Sequence, residues 1–373
     1  MKKVVVGISG GVDSSVSAYL LKKQGYDVIG VFMQNWDPYI NNEKSFDNKN
    51  DESGLNVCSA EYDFSIASKV CEQLNIPLHR VNFINEYWDR VFEPFLEDYK
   101  NGLTPNPDIL CNKYIKFGSF HDYCFKNFNC DYIATGHYAG VRLNKSNNLY
   151  ELTESFDQDK DQTYFLCSLN QKQLSKTLFP LSNISKKDVR DIANKINLNN
   201  WDRKDSTGIC FIGERNFKDF LRNYIENKPG KIIDIDSKKI VGNHDGIHLY
   251  TIGQRKGLNL SGNTYKYFVA KKDIENNILY VSDDKMKEKY LDSNFAICKR
   301  FNWISYIPSN NNVEIRFRHT KNKVKGRFHI QSDNSIMFSY DESKAVTSGQ
   351  YLVIYQNGVC LGGGPVSQVL MNY

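Results

Sequence analysis

The sequence predicts an α/β protein in three parts. An N-terminal, doubly wound parallel sheet comes first. A small β-rich central domain and a C-terminal antiparallel β-barrel follow. Three observations carry this prediction. The chain opens as strand, glycine-rich turn, helix and strand. Strand and helix patterns then alternate to about residue 200. After about residue 212, short strand-like runs separated by turn signals take over. The predicted boundaries are 1–211, 212–292 and 293–373. A chain of 373 residues suits two or three such units.

Taken in order, Val4, Val5, Val6 and Ile8 form a continuous apolar run, the pattern of a strand buried on both faces. Ser14 to Gln24 carries Val16, Tyr19, Leu20 and Lys23 at helical spacing, and Gly25 is a natural stop. Asp27 to Met33 is a second apolar run, which completes a βαβ unit. Residues 37–56 are polar and poor in aliphatics, and predict a mobile loop inserted after that strand. Glu61–Leu74 predicts a helix, Ile76–Phe83 a strand and Tyr87–Tyr99 an amphipathic aromatic helix. Asp131–Thr135 predicts a short strand ending at Gly136 and His137. Turn signals then recur at Pro229-Gly230, Asn243–Gly246 and Ser261–Asn263. From about 293 onward, regularly spaced strands suggest the small barrel.

Composition bounds the function. Forty per cent hydrophobic and 24% charged residues is a globular composition. No run of about 18 apolar residues exists, which argues against a membrane span. The first residues enter a strand directly, without a secretory or transit leader, so a cytoplasmic location is expected. The net charge of +5 decides little. No two of the nine cysteines are three apart, which counts against zinc-ribbon, thioredoxin-like and CxxC-dependent sulfurtransferase readings.

Three motifs bear chemistry. Ser9-Gly10-Gly11-Val12-Asp13-Ser14 lies between the first strand and its helix, where glycines admit close approach and helix N–H groups face an anion. It is neither a Walker A loop nor a GxGxxG fingerprint. It resembles the pyrophosphate loop of N-type ATP pyrophosphatases, which adenylate a carbonyl oxygen. The competing view is a plain strand–helix turn with Asp13 or Ser14 as cap. In the second motif, Thr104–Lys113, Pro105 and Pro107 stiffen a loop rather than a helix, and Cys111 follows beside Lys113 and Lys116, whose charge favours a thiolate. The third, Lys204–Gly213, holds Cys210 in a Gly-flanked apolar stretch. Each cysteine alone reads more simply as a buried thiol. Together with an ATP loop, they suit an enzyme that replaces an activated oxygen by sulfur.

Over nearly its whole length the chain resembles the bacterial MnmA-type tRNA-specific 2-thiouridylases. The strings that carry this are GISGGVDSSVSAYLL, TPNPDILCNKYIKF, DYIATGHY, KDQTYFL, KDSTGICFIGERNF, TIGQRKG and CLGGG. The second and fifth are highly specific; the last two are weak alone. The resemblance implies ATP-dependent 2-thiolation of the wobble uridine of tRNAs for Lys, Glu and Gln. It implies that Gly7, Ile8, Ser9, Gly10, Gly11, Val12, Asp13 and Ser14 hold the ATP phosphates, with Met33 and Gly136 lining the adenosine pocket. Asp13 would help place Mg2+. Cys210 would receive a persulfide sulfur from a donor protein, with Cys111 as partner nucleophile. Either the persulfide attacks and Cys111 then frees the product as a transient Cys111–Cys210 disulfide forms, or Cys111 first releases hydrosulfide. Both routes stay open at this point. Asn106, Pro107 and Asp108 would touch the target base, with Asp108 as an acid/base group. His137, Lys160, Asp161, Gln162, Arg316, Phe317 and Gln350 match tRNA-contact positions. A monomer is expected.

Independent of the resemblance, eight Lys/Arg stand against one acid between Ala296 and Ile330. Their alternation with Val313, Ile315 and Phe317 predicts a hairpin with one apolar and one mostly cationic face, suited to phosphate contacts. Two features depart from the family pattern. Arg316-Phe317 stands where the family has Arg-Tyr, and loop 37–56 is atypical. Cys58 and Cys71 read as structural. A three-cysteine iron–sulfur cluster using Cys111, Cys210 and one other stays open. The competing function is another ATP pyrophosphatase, an amide-forming ligase acting on a small molecule. A non-catalytic RNA-binding protein that keeps a nucleotide pocket is a further alternative.

Overall fold

The computed structural model describes residues 1–38, 40–41, 48–50, 56–205, 217–260 and 266–371. Among the described residues, the N-terminal part is built on a five-stranded parallel sheet. Its first strand, β1 (Lys3–Gly7), runs into helix α1 (Val12–Lys23) and strand β2 (Asp27–Gln34). The spatial order is Leu78–Asn82, β2, β1, Tyr132–Ala134, Thr177–Leu178. Alternation along β1 sorts its side chains. Val4 and Val6 pack with Val16 and Leu21 of α1, Val70 of helix Ser59–Gln73, and Val189 and Ala193 of helix Lys186–Lys195. Val5 faces the opposite layer, with Val91, Phe92, Ile115 and Phe120. Both faces are covered, which is why the run reads as continuous apolar sequence.

The order of strands reverses at β1. The chain moves outward to Leu78–Asn82 and returns to the other side of β1 at Tyr132–Ala134. That reversal opens a crevice at the carboxyl ends of the two central strands, the usual ligand position in such sheets. The Gly7–Ser14 turn leaves β1 there, and Gly136 and His137 leave its neighbour there.

Three expectations are corrected. The 37–56 segment is not wholly a loop, because Asn48–Asn50 and Asn56–Cys58 pair as an antiparallel ribbon; 39, 42–47 and 51–55 lie outside the described residues. The strand–helix alternation does not run unbroken to 200. Gly140–Asn144 and Leu149–Thr153 form a hairpin that leaves the parallel sheet and pairs with Val359–Pro365 near the C-terminus. Third, the Thr104–Lys113 prolines do not mark a pure loop. Asn106 caps a helical turn, Pro107–Leu110, by accepting the Ile109 N–H at 3.2 Å, and Pro107 takes the position where a missing N–H costs nothing. The helix continues as a π-helical stretch, Cys111–Ser119.

The central part is a four-stranded sheet of Gly230–Asp234, Ile240–His244, Tyr267–Asp273 and Ile278–Asp283. The turn foreseen at Ser261–Asn263 lies outside the described residues. The C-terminal part is a ten-stranded antiparallel sheet around its own core, including Val313, Ile315, Phe317, Phe328 and Phe338. Two of its strands come from the 140–153 hairpin. Among the described residues no helix is long and apolar enough to cross a membrane.

Candidate active site

The glycine turn is held open by its surroundings. Gly10 has φ +79°, and a Cβ there would lie 2.6 Å from the Asp63 carbonyl oxygen. A Cβ on Gly136 would lie 2.7 Å from the Ser14 backbone nitrogen. Neither position admits a side chain, so two backbones approach closely around the first turn of α1. Gly11 stands at the cap position without a side-chain cap, so neither Asp13 nor Ser14 caps this helix. The Ser14 hydroxyl instead donates to the Gly11 carbonyl at 2.9 Å and receives the Ser9 N–H at 3.2 Å. The first N–H groups of a helix have no partner within it, and this helix starts just past the carboxyl end of β1. The Met33 methyl sits 3.0 Å from where a Gly7 Cβ would be. The structure thus brings Gly7, Met33, Gly136 and the first turn of α1 together.

Cations ring this turn. Lys186 lies 2.7 and 2.8 Å from the two Asp13 oxygens and 2.7 Å from Asp205 Oδ1. Asp205 also pairs with Lys160 and Arg190, each at 2.9 Å. Burial alone would raise the Asp205 carboxyl, but hydrogen bonds from Lys186 and Lys160 outweigh it and bring it down to about 2. The Tyr138 hydroxyl donates to Asp13 Oδ1 at 2.9 Å, and burial together with Asp13 keeps that hydroxyl protonated. Asn200 and Arg203 both donate to the Gly10 carbonyl, at 2.9 and 3.1 Å. Tyr138, Lys186, Arg190, Asn200, Arg203 and Asp205 were not singled out from sequence. Tyr138 and Asp205 lie inside strings quoted for the resemblance. Lys186 carried a different signal: a lysine in the first turn of a helix opposes the helix dipole unless an anion faces it.

Asn106, Pro107 and Asp108 sit where the N-terminal part meets the barrel. The Thr104 N–H donates to the Ser348 carbonyl at 3.0 Å. Gln350 follows in that barrel loop, its Oε1 accepting the Thr347 N–H at 3.3 Å. A cleft of about 800 Å3 opens here, lined by Asn106, Leu110, Lys113, Tyr114, Arg300 and Tyr351 among others. Cys111 opens the π-helical stretch and is buried at 2% exposure. The neighbouring Asn112 amide donates to the Phe165 carbonyl at 3.1 Å, tying this stretch to the Lys160–Leu166 string. Cys210 lies outside the described residues. Among those described, no three His, Cys, Asp or Glu side chains come together as a metal-ligand set.

The structure does not present several expected tRNA contacts to solvent. His137 is buried between the Phe117 and Phe179 rings, with Nδ1 2.7 Å from the Thr135 hydroxyl. Burial, with Lys116 adding to it, holds its pKa well below the ordinary value. Asp161 is 1% exposed and accepts from the Ser155 N–H and from Arg316. Gln162 Oε1 accepts the Tyr138 N–H at 3.0 Å. Arg316 is the largest enclosed charged side chain among them. Its guanidinium is buried, 2.7 Å from Asp161 and 2.8 Å from Glu154, over the Tyr355 ring. Phe317 is core. The basic hairpin does form, with Asn312–Arg316 paired to Val324–Ile330. Its cationic face is thinner than the sequence suggested, because Lys321 pairs with Asp159 and Lys323 with Glu154 and Glu314. Lys325 and Arg327 stay exposed.

Comparison with known proteins decides the family. Residues 2–214 match the family model described as tRNA methyl transferase HUP domain, 218–283 the tRNA methyl transferase PRC-barrel domain, and 293–366 the Aminomethyltransferase beta-barrel domain. A protein of Malacoplasma penetrans named tRNA-specific 2-thiouridylase MnmA is 69% identical over 366 residues, covering 98% of each chain. The chain belongs to the MnmA family. The relative of that name in Ureaplasma urealyticum is 50% identical over 100% of this chain and 97% of its own. The one in Mycoplasma mycoides is 51% identical over 99% of both. Among solved structures, a 4-thiouridine synthetase–RNA complex with bound ATP overlaps 60% of this chain and 46% of its own at 13% identity and a TM-score of 0.33, too weak a likeness to add to the family relationship.

Proposed function

We propose that this chain is an ATP-dependent tRNA 2-thiouridylase acting on the wobble uridine. The observation that carries the proposal is the 69% identity, over 98% of the chain, to a relative named for that activity. The glycine turn at the switch point supports it. The Gly7–Ser14 turn would hold the triphosphate, with Met33 and Gly136 beside the adenosine. Asp13, the carboxylate of that turn, suits a Mg2+ shared with phosphate oxygens. The C2 oxygen of the uridine would attack the α-phosphorus, and pyrophosphate would leave. Sulfur then adds at C2, and AMP departs with the original oxygen.

The sulfur would arrive as a persulfide on Cys210, delivered by a donor protein. Cys111 would attack the inner sulfur of the adduct, releasing the thiolated base and leaving a disulfide for a thiol reductant to open. Release of hydrosulfide by Cys111 before attack gives the same products. Cys111 is buried, so either route needs its surroundings to open when tRNA binds. The cleft beside Asn106 and Lys113 suits RNA, since Lys113 and Arg300 supply charge and Tyr114 and Tyr351 supply rings. Asp108 would serve as acid or base at the target base, which must leave the anticodon stack. His137, Lys160, Asp161, Gln162, Arg316 and Phe317 would then act mainly by positioning the RNA-facing loops, with Gln350 in the barrel loop beside Thr104. A cytoplasmic monomer is the form expected.

The experiment is nucleoside mass spectrometry of tRNA incubated with the full chain, ATP, Mg2+ and a sulfide source. Gain of sulfur at the wobble uridine is expected. Unchanged tRNA, with pyrophosphate released on a small amine substrate and full turnover in Cys210→Ala, would favour the ligase.

A further inference from the structure

We propose that Ile274 of the central sheet and Gly349 of the barrel are positioning residues for the thiolation step. They grip the segment 102–104 from two sides and so fix where Asn106, Asp108 and Cys111 stand. This rests on the reading that the Asn106–Asp108 turn meets the target base. The grip starts at the end of helix Glu93–Lys100. The Gly102 N–H donates to the Tyr99 carbonyl at 3.0 Å and the Leu103 N–H to the Asp98 carbonyl at 2.9 Å, which closes the helix with Gly102 at φ +73°. That turn alone favours glycine. The structure adds a second demand, because the space of a Gly102 Cβ is taken by Ile274, whose Cδ1 and Cγ1 would lie 2.5 and 2.7 Å from it. Ile274 opens the turn between strands Tyr267–Asp273 and Ile278–Asp283, and that turn is itself braced. The Asn277 N–H donates to the Ile274 carbonyl at 3.3 Å, the Asn276 N–H to Asp273 Oδ1 at 3.1 Å, and the Asn277 side-chain amide to the Pro229 carbonyl at 2.9 Å.

The barrel closes the other side. Gly349, at φ +88°, has no room for a side chain, since its Cβ would lie 2.7 Å from the Thr104 nitrogen and 2.8 Å from Leu103 Cβ. Its own N–H donates to the Val366 carbonyl at 2.9 Å, which ties the contact to the barrel. Between the closed helix end at Gly102 and the Asn106 cap stand Leu103, Thr104 and Pro105, and the proline ring fixes one of the remaining backbone angles. A segment this short, held at both contacts, passes a shift at either one to the cap, to Pro107–Leu110 and to Cys111 behind them. The central sheet supplies none of the residues assigned to ATP or to the target base, so the effect of Ile274 on the chemistry runs through this segment.

The test is single-turnover thiolation of tRNA by the full chain and by Ile274→Ala, Ile274→Leu and Gly349→Ala, over a range of tRNA concentrations with ATP, Mg2+ and sulfide saturating. Ile274 is only partly buried, at the margin of the core, so Ile274→Ala should fold and decides the matter if Gly349→Ala does not. A misplacement of about 1 Å can cost about a hundredfold, so both truncating and crowding variants should lower the rate at saturating tRNA by roughly tenfold to a hundredfold. The tRNA concentration giving half the maximal rate and the affinity for ATP should stay within about threefold of wild type. Ile274→Leu, which refills the contact, should recover most of the rate. A saturating rate within about twofold of wild type in Ile274→Ala would overturn the proposal. So would a parallel loss of rate, tRNA affinity, ATP affinity and Tm in Ile274→Ala without recovery in Ile274→Leu, which marks a structural role. Failure of the wild-type chain to thiolate tRNA is a separate result, and it would remove the functional reading beneath the proposal.

Discussion

At Arg316 a single guanidinium is enclosed by Asp161, Glu154 and the Tyr355 ring, with the arginine side chain 1% exposed. Removing one partner of such a buried pair strands the others, which costs far more than the pair contributes net. Arg316→Ala should therefore lower stability by about 3–5 kcal/mol, read from urea unfolding. A variant that unfolds like the wild type but loses tRNA would place Arg316 on the RNA surface instead. The cysteines give a second residue-scale expectation. Burial pushes the Cys71 and Cys167 thiols up to about 12, with Glu72 adding to the shift at Cys71 and hydrogen bonds to Ser168 and its own backbone opposing it at Cys167. The thiolate is the reactive form, so both should resist iodoacetamide at pH 8 until the chain unfolds, as peptide mapping would show. Rapid labelling of either in the folded protein would contradict their burial. The arginine's environment was not legible in sequence. Its alternation with Val313 and Ile315 correctly placed it on the polar face of a strand, but nothing local shows that Glu154, Asp161 and Tyr355 come to cover that face.

Between elements, the same limit appears with a different cause. The β1–turn–α1 unit was legible because its determinants are contiguous: apolar residues for a two-sided strand, then glycines where backbones must approach. The Lys186–Asp13–Asp205 clamp was not, since it joins three segments far apart in the chain. The π-helical stretch from Cys111 was also hidden, because Pro105 and Pro107 read as loop signals while Asn106 and Pro107 in fact begin a helix. The clamp has a pH signature. Asp205 falls from an ordinary 3.8 to about 2 in the folded state. A lowered carboxylate pKa contributes stability that is complete above about pH 4 and is lost as the pH drops toward 2. The Tm gap between wild type and Asp205→Asn should accordingly be constant near neutrality and close between about pH 4 and 2. A gap independent of pH would show that the charge of Asp205 does not stabilise the fold.

Over the whole molecule, the 140–153 hairpin ties the parallel sheet to the C-terminal one. Leu152 pairs with Cys360 and Thr153 with Val359, while the Arg316 ion cluster closes over the same junction. The barrel as read from sequence starts at 293, because periodicity shows where strands occur and not which sheet they join. A fragment spanning 293–373 lacks two strands of its sheet and the carboxylates that neutralise Arg316. It should fail to show a cooperative thermal transition by circular dichroism, whereas the full chain should show one. An independently folding fragment would make the hairpin an accessory.

The chemistry gathered at the switch point is most directly tested with tRNA carrying 18O at C2 of the wobble uridine, incubated with the full chain, ATP, Mg2+ and sulfide. Activation of that oxygen by the α-phosphoryl group requires the heavy isotope to appear in AMP as the uridine gains sulfur. Thiolated tRNA accompanied by unlabelled AMP, or by ADP and phosphate, would contradict it.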